Sequence, residues 1–567
     1  MPAPQSSAPY DALIIGGGHN GLVCACYLAA RGMKVRVLER RHILGGAAVT
    51  EEFHSDSAGV FRNSTASYTV SLLHPGIIRD LRLHEHGLRI VERPFSNFLP
   101  LPGGRGEQAY LKLGGGLEAS QREVAKFSTR DAERLPAFYA MLDGVVGVLR
   151  AMLVKTPPNV GERSFHSLTD WWNAWDLGKR VARLDLPHKR DLLDLFTKSA
   201  GDVLDSWFES DAIKAALGFD SIVGNFASPY ASGSAYVLLH HVFGEIHGKS
   251  GVWGHAIGGM GAITLAMARE AAERGVELST DAAVARVLVE THRGKKRAAG
   301  VMLENGTRIL ARRIVANVHP QMLFLSMLDA ADLPEDFVNR IKHYRSGSGT
   351  LRMNVALCEL PDFTALPGTH AQPHHSSGIV MAPSLAMMER AWMDAKSFGW
   401  SSEPIIEMLI PSTIDETLAP RGAHVASLFC QHFAPRLEAS GAAARYPEGW
   451  AETHLPGSPH PSPRESAADA VIDAVTRYAP NFKASVIARQ IHTPLDLEKK
   501  FGLIGGDIFH GALTLDQLFS ARPVLGHANY RAPIAALYLC GAGAHPGGGV
   551  SGLPGKNAAR EILRDRR

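Results

Sequence analysis

Apolar residues near the N-terminus fall into short runs separated by glycine. A run at residues 12–15 is followed by GGGHNG and then by an alanine-rich apolar stretch at residues 22–30. After Gly32, a second run at residues 35–38 closes on Glu39. Short apolar runs are typical of buried parallel strands, and glycine commonly ends a helix. The pattern predicts strand, glycine turn, helix and second strand.

The middle of the chain has mostly helical periodicity. Apolar positions recur at helical spacing around residues 131–153, 168–183, 190–198 and 234–243, which predicts a mostly helical insertion. Aromatic and histidine residues in it form either ordinary core or a pocket: Trp171, Trp172, Trp207, Phe208, Phe226, Tyr230, Tyr236, His240 and His241. Neighbouring helix residues point about 100° apart, so we predict no metal site at the histidine pair.

Beyond residue 250 the α/β pattern returns. A helix is predicted after Gly258, strands at 276–278 and 283–289, and a type I′ hairpin turn at Asn305-Gly306. Residues 321–529 alternate strands and helices, as in a mixed sheet. Within them, residues 443–465 are rich in Pro, Gly and His and read as an exposed loop, with a functional lid as the alternative.

The last apolar run, at residues 537–540, precedes Gly547-x-Gly549-x-x-Gly552. A second nucleotide fold would need another strand and an acid about 20 residues on, but the sequence ends 15 residues after Gly552. We therefore predict a closing strand of the N-terminal sheet and a helix that points its N-terminus at the same ligand. The predicted division, with nucleotide-binding parts first, third and last, is 10–75, 76–249, 250–320, 321–529 and 530–567.

The glycine spacing at the N-terminus carries specific chemistry. Gly16 allows the tight turn, Gly18 lets the backbone approach a pyrophosphate, and Gly21 lets helix and strand pack closely. The helix N-terminus offers free N–H groups and a positive dipole to phosphates. Glu39 is placed to accept the ribose hydroxyls and repels a 2′-phosphate. Together these features predict a dinucleotide site.

Composition narrows the function classes. A chain of 567 residues with 45% hydrophobic and 20% charged residues indicates a soluble globular protein of two or more domains. The net charge of +3, from 59 basic and 56 acidic residues, does not call for nucleic acid. The five cysteines lack the spacing of a redox disulfide or a zinc site, so we predict neither a metal nor a disulfide reductase.

Several motifs resemble one family. The stretches LERRHILGGAAVTEEF, GSAYVLLHHVFG, FGLIGGDIFHGALTLDQLFSARP and LYLCGAGAHPGGGVSGLPGKNAA, among others, run from about residue 10 to the end. They resemble the pyridine nucleotide-disulfide oxidoreductase domain-containing protein 2 family, within the phytoene-desaturase-like FAD oxidoreductases. Many enzymes of that wider type have Arg after the Gly45-Gly46 pair, where this chain has Ala47, so any contact made by that Arg must come from elsewhere.

The resemblance implies an α/β fold: a Rossmann-like FAD-binding domain of the glutathione-reductase or amine-oxidase type, with an inserted mixed-sheet and helical substrate domain. It also implies FAD, with the flavin end near residues 541–552. The cofactor-binding residues expected from motif and resemblance are Gly16, Gly18, Gly21, Glu39, Arg40, Gly45, Gly46, Val284, Gly541, Gly548, Gly549 and Val550.

The leading hypothesis is an FAD-dependent oxidoreductase that takes hydride from a C–H bond of an unidentified small-molecule substrate onto flavin N5. The alternative is an FAD-bound regulatory or scaffold protein with little turnover. His545 is a candidate proton handler, or else a support for the glycine turn, and Asp507 and His510 form a second candidate pair.

An apolar or polyene substrate, by analogy with desaturases, would fit loose membrane association, although no basic amphipathic anchor is visible. A homo-oligomer or protein partner is left open. The mitochondrial relatives begin with an extension that the first strand, at about residue 11, leaves no room for. We therefore expect a cytoplasmic, bacterial-type protein, with a mitochondrial location as the alternative.

Overall fold

The computed structural model describes residues 10–57, 59–103, 106–159, 167–246, 248–368, 370–451 and 462–566. Much of the loop predicted at residues 443–465 lies outside the described residues. The strands are β1 Ala12–Ile15, β2 Val35–Leu38, β3 Thr50–Asp56, β4 Gly59–Ser64, β5 Ile90–Glu92, β6 Asn97–Pro100, β7 Tyr110–Leu113, β8 Glu245–Ile246, β9 Lys249–Ser250, β10 Gly254–Ala256, β11 Glu277–Ser279, β12 Val284–His292, β13 Lys295–Leu303, β14 Arg308–Leu310, β15 Ile314–Ala316, β16 Thr350–Leu357, β17 Gly378–Met381, β18 Trp400–Leu409, β19 His424–Phe433, β20 Val486–His492 and β21 Leu537–Leu539.

The helices cover the predicted helical segments and several more. They are α1 His19–Ala29, α2 Pro75–Asp80, α3 Leu117–Ala125, α4 Thr129–Leu153, α5 Ser167–Ala182, α6 Leu186–Thr197, α7 Ala200–Trp207, α8 Asp211–Gly218, α9 Ser234–His241, α10 Gly261–Glu273, α11 Glu335–Lys342, α12 Leu385–Phe398, α13 Pro463–Tyr478, α14 Phe482–Ser485, α15 Pro494–Phe501 and α16 Leu553–Arg564.

Five parallel strands form the sheet predicted from the two ends of the chain. Their order is β11-β2-β1-β15-β21, and every neighbouring pair is parallel. All four residues of β1 are buried, as expected for a central strand of a parallel sheet. The register sets Ile15 beside Leu38 and Ala316, and Ala316 beside Leu539. The predicted closing strand is therefore confirmed, and with it the α/β fold class.

Helix α1 packs against α10 and α16. It buries Leu22, Val23, Cys24, Ala25 and Leu28 in the core that also contains the sheet. The contact with α16 is close because a glycine stands at the crossing: a Cβ added to Gly555 would lie 2.2 Å from the carbonyl oxygen of Asn20. The last helix is thus held directly over the first.

A three-stranded antiparallel sheet, β12-β13-β14, lies within the second nucleotide-binding segment. The predicted hairpin turn at Asn305-Gly306 forms, but it is not type I′, because of the two residues only Gly306 has a positive φ. The Asn305 side chain instead accepts a hydrogen bond from the Thr307 backbone at 3.0 Å. Positive φ at two consecutive residues, as type I′ requires, occurs at Arg293-Gly294 between β12 and β13.

A second large sheet is mixed and has seven strands, in the order β20-β16-β19-β18-β17-β6-β7. Strands β16 to β20 come from the predicted sheet segment, but β6 and β7 come from residues 97–113, within the segment predicted to be mostly helical. These strands have four residues each, too few for an alternating pattern to stand out. The helical part of that segment begins only at α3.

Helix α4 is the one helix among the described residues that is long and apolar enough to cross a membrane, by length and composition only. In this structure its side chains Leu135, Phe138 and Val145 are buried in a core cluster with residues of α7, α8 and α9. The helix therefore has a packing role here, as the central element of the helical layer.

Replacing Gly555 with Ala tests the close crossing of α1 and α16. The added methyl group meets a backbone oxygen, which cannot rotate away, so we expect a loss of about 1–3 kcal/mol of unfolding free energy. The control is Gly147→Ala in α4, where nothing lies within 4 Å of the new Cβ and helix propensity favours Ala by up to about 1 kcal/mol. Urea unfolding of both variants measures the difference; equal stability would contradict the close crossing.

Candidate functional site

The glycine loop between β1 and α1 has the conformation that its sequence predicts. Gly16 has φ of +97°, a region that other residues rarely adopt, and Gly18 precedes the first turn of α1. A Cβ on Gly21 would lie 2.3 Å from the carbonyl oxygen of Gly16, so no other residue fits there. Gly16 and Gly18 line a cavity, whereas Gly21 lies behind it and sets the contact of helix and loop.

Glu39 lies at the end of β2 with its carboxylate on the cavity wall. Its Oε2 accepts a hydrogen bond from the Gly17 backbone at 2.8 Å, and its Oε1 accepts one from the Arg41 backbone at 2.9 Å. Each oxygen keeps a further lone pair for the cavity side. The carboxylate is therefore oriented by the loop itself and can accept hydrogen bonds from the hydroxyl groups of a ribose.

The Gly45-Gly46 turn lies against the glycine loop. The Gly45 backbone N–H donates to the Gly17 carbonyl at 2.9 Å, and both glycines have positive φ, +126° and +59°. A Cβ on Gly46 would come within 3.0 Å of the Gly18 Cα. Gly46 lines the cavity, while Gly45 lies behind it. The pair lets two chain segments approach one ligand from neighbouring directions.

Asn317 is a site residue that the sequence analysis missed. It follows β15, and its Nδ2 donates to the carbonyl oxygens of Gly16 at 3.1 Å and Gly18 at 3.4 Å. The side chain thus ties the third strand of the site to the glycine loop, and it also lines the cavity. A polar residue directly after a central parallel strand was the available signal.

The cavity has a volume of about 420 Å³ and is formed by both ends of the chain and by the second sheet. Glu39, Arg40 and Val284 line it, and their contact with an adenosine stays a prediction. Gly548, Gly549 and Val550 also line it, but Gly541 does not; its neighbour Ala542 does. The C-terminal glycine stretch therefore contributes to the same site as the N-terminal loop.

Two cations supply positive charge beside the cavity. Arg41 and Lys500 both line it, and both pair with the single carboxylate of Glu51, at 2.7 Å and 2.9 Å. Arg40 also lines the cavity, as do the acids Glu39 and Glu304, so charges of both signs stand at the wall where Ala47 replaces the Arg of the wider enzyme type. Arg41 also has a buried Nη1 atom with no partner among the described residues.

The candidate catalytic residues fall into two groups. His510 lines the cavity, and burial lowers its pKa to about 3, so its ring is neutral. Asp507 lies behind the wall: its carboxylate accepts from the backbones of Gly347 and Phe509, both at 2.8 Å, and burial raises its pKa. The two residues are close in sequence, but only His510 reaches the ligand space.

His545 lies outside the cavity wall. Its Nε2 donates to the Met152 carbonyl oxygen at 3.1 Å, and its own carbonyl oxygen accepts from the Tyr530 hydroxyl at 2.9 Å. The side chain is 2% exposed, and burial lowers its pKa to about 4. This position corrects the proton-handling prediction and matches the supporting role that the sequence left as the alternative.

The aromatic residues around the cavity are mostly not those singled out from the helical segment. Trp172 and Tyr230 are 65% and 42% exposed, and of the predicted set His241 lines the cavity. The aromatic wall comes from other elements: Tyr68, Trp253, Phe429, Phe501 and Phe509. The side chain of Trp171 lies outside the described residues.

The site fits a flavin dinucleotide. Gly16, Gly18 and Gly46 line the cavity without side chains, and behind them the loops leave no space for a Cβ at Gly21 or Gly45. Three cavity-lining residues carry buried polar atoms with no partner in the described chain: Asn20 Oδ1, Arg41 Nη1 and His510 Nδ1. Such atoms are costly unless a ligand meets them. Bound FAD would occupy a cradle made by Gly16, Gly18, Glu39, Gly46 and Val550.

Replacing Asn317 with Ala removes two hydrogen bonds to the glycine loop, each contributing about 1 kcal/mol. We expect the dissociation constant of FAD from the apoprotein to rise about tenfold, measured by flavin fluorescence titration. The control is Asn339→Ala on the exposed side of α11. An unchanged FAD affinity in Asn317→Ala would refute the role of this side chain.

His545 also predicts a pH dependence. Its folded pKa of about 4 lies below the unfolded value of about 6.5, so its neutral form stabilises the fold above pH 6.5 and that stability is lost as pH falls toward 4. His545→Gln keeps a donor for Met152. As pH falls below 6.5, its unfolding free energy should decrease less steeply than that of the wild type, and the two slopes should differ by about 1.4 kcal/mol per pH unit. Urea unfolding from pH 7.5 to 4.5 checks this: the two proteins should run parallel above pH 7, and parallel curves below pH 6 would contradict the prediction.

Comparison with known proteins agrees with this geometry. Residues 14–93 match the model of an NAD(P)-binding Rossmann-like domain. An oxidoreductase from Methanosarcina mazei has a similar structure, with a TM-score of 0.58, 14% identity and coverage of 98% and 99% of the two chains. Cyclohexylamine oxidase from Brevibacterium oxydans covers 99% and 100% with a TM-score of 0.53 and 15% identity. The predicted fold and FAD-type dinucleotide site are confirmed.

Two relatives cover almost the whole chain. A limonene dehydrogenase component from Castellaniella defragrans is 25% identical over 98% of this chain and 94% of its own length. The pyridine nucleotide-disulfide oxidoreductase domain-containing protein 2 of Mus musculus is 41% identical over 98% of this chain and 94% of its own. The protein is an oxidoreductase of the FAD-dependent amine-oxidase and desaturase type. It belongs to the pyridine nucleotide-disulfide oxidoreductase domain-containing protein 2 family.

Proposed function

We propose that this protein is an FAD-dependent oxidoreductase that removes hydride from a C–H bond of an apolar, unsaturated substrate. The flavin would supply the hydride acceptor, N5 of its ring. The observation that carries the proposal is the single cavity that joins the dinucleotide loop to an aromatic wall. A cofactor site that continues into an apolar space is the arrangement that holds a substrate carbon against a cofactor and excludes water.

The wall opposite the glycine loop is suited to a hydrocarbon. Leu72, Val223, Trp253, Phe429 and Phe509 line it. Tyr68 stacks on Phe429 with 4.9 Å between ring centroids, and its hydroxyl donates to Glu407, away from any ligand. The name limonene dehydrogenase, carried by a relative of full length, supports an isoprenoid-like hydrocarbon as the substrate class.

His241 is the residue that would accept a proton. Its Nδ1 donates to the Val237 carbonyl oxygen at 2.8 Å within α9, so the ring carries its hydrogen there and Nε2 has a lone pair. Nε2 has no partner among the described residues, and the side chain lines the cavity beside Trp253. Burial lowers its pKa to about 4, which keeps the ring neutral and able to accept.

The balance of the reaction assigns these roles. Loss of hydride from one carbon and of a proton from its neighbour leaves a new C=C bond; the proton goes to His241 and the hydride to the cofactor. His510, on the same cavity, is a second neutral ring that can hydrogen-bond a polar group of the substrate. The aromatic wall would orient the substrate.

Thiol chemistry has no part in this proposal. Cys24, Cys26, Cys430 and Cys540 are buried free thiols, and burial is a cause of the raised pKa of the first three. Cys358 is exposed and does not line the cavity. A thiolate, the reactive form, is therefore disfavoured at Cys24, Cys26 and Cys430.

The purified protein is expected to carry FAD, visible in its absorption spectrum and released on denaturation. Under anaerobic conditions an alkene such as limonene or a carotenoid should bleach the visible flavin band, while NADH and NADPH should not. Rapid bleaching by either nucleotide would overturn the proposal. A protein with bound flavin that no candidate substrate reduces would favour the regulatory or scaffold alternative.

His241→Gln tests the proton acceptor. With a substrate that reduces the wild-type flavin, we expect the bleaching rate to fall about 10²–10⁴-fold, because the general base is lost. The matched control is His343→Gln, a histidine at the exposed end of α11. A rate within twofold of wild type in His241→Gln would assign the base elsewhere.

A further inference from the structure

Arg522 is a fully buried cation that the reaction proposed above does not use. It is 0% exposed, and its guanidinium donates to backbone carbonyl oxygens. The short contacts are Nη2 to Phe509 at 2.7 Å, Nη2 and Nε to Ala542 at 2.9 Å and 3.1 Å, and Nη1 to Gln517 at 3.1 Å. In the part of the chain that the structure describes, no carboxylate pairs with it within 4.0 Å.

The guanidinium lies one layer behind the cavity wall. Phe509 and Ala542 line the cavity, and their carbonyl oxygens point back to Arg522. On the C-terminal side, a Cβ added to Gly547 would be 3.7 Å from the Arg522 Cζ. The charge therefore stands directly behind the turn that carries Gly548, Gly549 and Val550 to the cavity.

Burying a charge without a carboxylate partner costs desolvation free energy, so we expect a negative group near Arg522. Helix α16 begins at Leu553, just beyond the same turn, and adds the positive end of its dipole. The rings of His240, His319, His510 and His545 all have lowered pKa values, with burial as the first cause and the Arg522 charge as a further one. These rings are neutral, so the cation is the main charge at this end of the cavity.

Asp507 is an acid on which the Arg522 charge acts. It is 1% exposed, and its carboxylate accepts backbone hydrogen bonds from Gly347 and Phe509, but it makes no ion pair with Arg522. Burial raises the pKa of Asp507, while its backbone hydrogen bonds and the Arg522 charge lower it. The Arg522 guanidinium therefore lies against the turn at Gly547 with no ion-pair partner among the described residues.

We propose that Arg522 is an electrostatic positioning residue that raises the reduction potential of the bound flavin. Two-electron reduction with uptake of one proton leaves the flavin ring with one negative charge. A fixed cation and a helix start behind the adjoining wall stabilise that charge more than the neutral oxidised ring. This inference rests on the proposed function, because it takes the flavin end of the cofactor to lie at Gly548–Val550.

Two measurements test this without any substrate: the flavin midpoint potential by spectroelectrochemical titration, and the affinity for sulfite, which adds to the ring and leaves it negative. In Arg522→Gln we expect a potential lower by about 30 mV, equivalent to about tenfold in a two-electron equilibrium. The sulfite dissociation constant should rise about tenfold, the size expected for one charge acting through protein.

Three further variants test the direction in which the Arg522 charge changes the flavin potential. Arg522→Lys keeps the charge and should stay within about twofold of wild type in sulfite affinity. Asp507→Asn removes an acid and should shift the potential upward or leave it unchanged. The control is Arg340→Gln on the exposed side of α11. A flavin-containing Arg522→Gln with wild-type potential and sulfite affinity overturns the inference.

If Arg522→Gln does not fold, measurements on the wild-type protein test the inference. Its flavin should have a higher potential than free FAD and should bind sulfite; a potential at or below that of free FAD overturns the inference while leaving the oxidoreductase proposal intact. A purified protein without flavin overturns both.

Discussion

The packing of the first helix on its own glycine loop is the constraint on which the site depends. Gly21 has a backbone oxygen of Gly16 only 2.3 Å from where a Cβ would be. Because helix and loop meet without side chains between them, the helix N-terminus opens directly into the cavity, and Glu39 receives a hydrogen bond from the same loop. Asn317 then joins the neighbouring strand to this unit. The glycine loop at the nucleotide end of the cavity is therefore held by contacts within about 30 residues of chain and by one amide side chain from far along the sequence.

Sequence reasoning worked where local pattern and covalent length decide the structure. The runs at β1, β2 and β21 are short and apolar and lie next to glycine turns, so their place in one parallel sheet could be predicted from the pattern. The C-terminal glycine stretch accordingly lines the same cavity as Gly16 and Gly18. The strands within residues 97–113 were missed because each is four residues long and gains its stability from neighbours far away in sequence. The Asn305-Gly306 turn forms, but the side chain of Asn305 selects a different geometry from the predicted one.

Site chemistry was less predictable because it depends on which way a side chain points. His545 lies in the C-terminal glycine turn, yet its ring contacts the Met152 carbonyl oxygen. The sequence predicts no metal site at His241, but the His241 ring reaches the cavity. Both are histidines in apolar surroundings, and only the partner of each ring nitrogen separates them. Arg522 carries no local signal at all: its acceptors are carbonyl oxygens from separate turns, which any residue could supply. Tertiary contacts of this kind are invisible to periodicity and spacing.

The closing strand has a consequence for biosynthesis. Strand β15 has β1 on one side and β21 on the other, and β21 follows β1 by more than 500 residues. During translation one edge of β15 and one side of α1 therefore stay uncovered until β21 and α16 have been synthesised. A prematurely terminated chain would present that unpaired edge and apolar surface to chaperones and proteases. Cofactor binding would then depend on synthesis of β21 and the glycine turn after it, because residues within 15–48 and 542–550 line the same cavity.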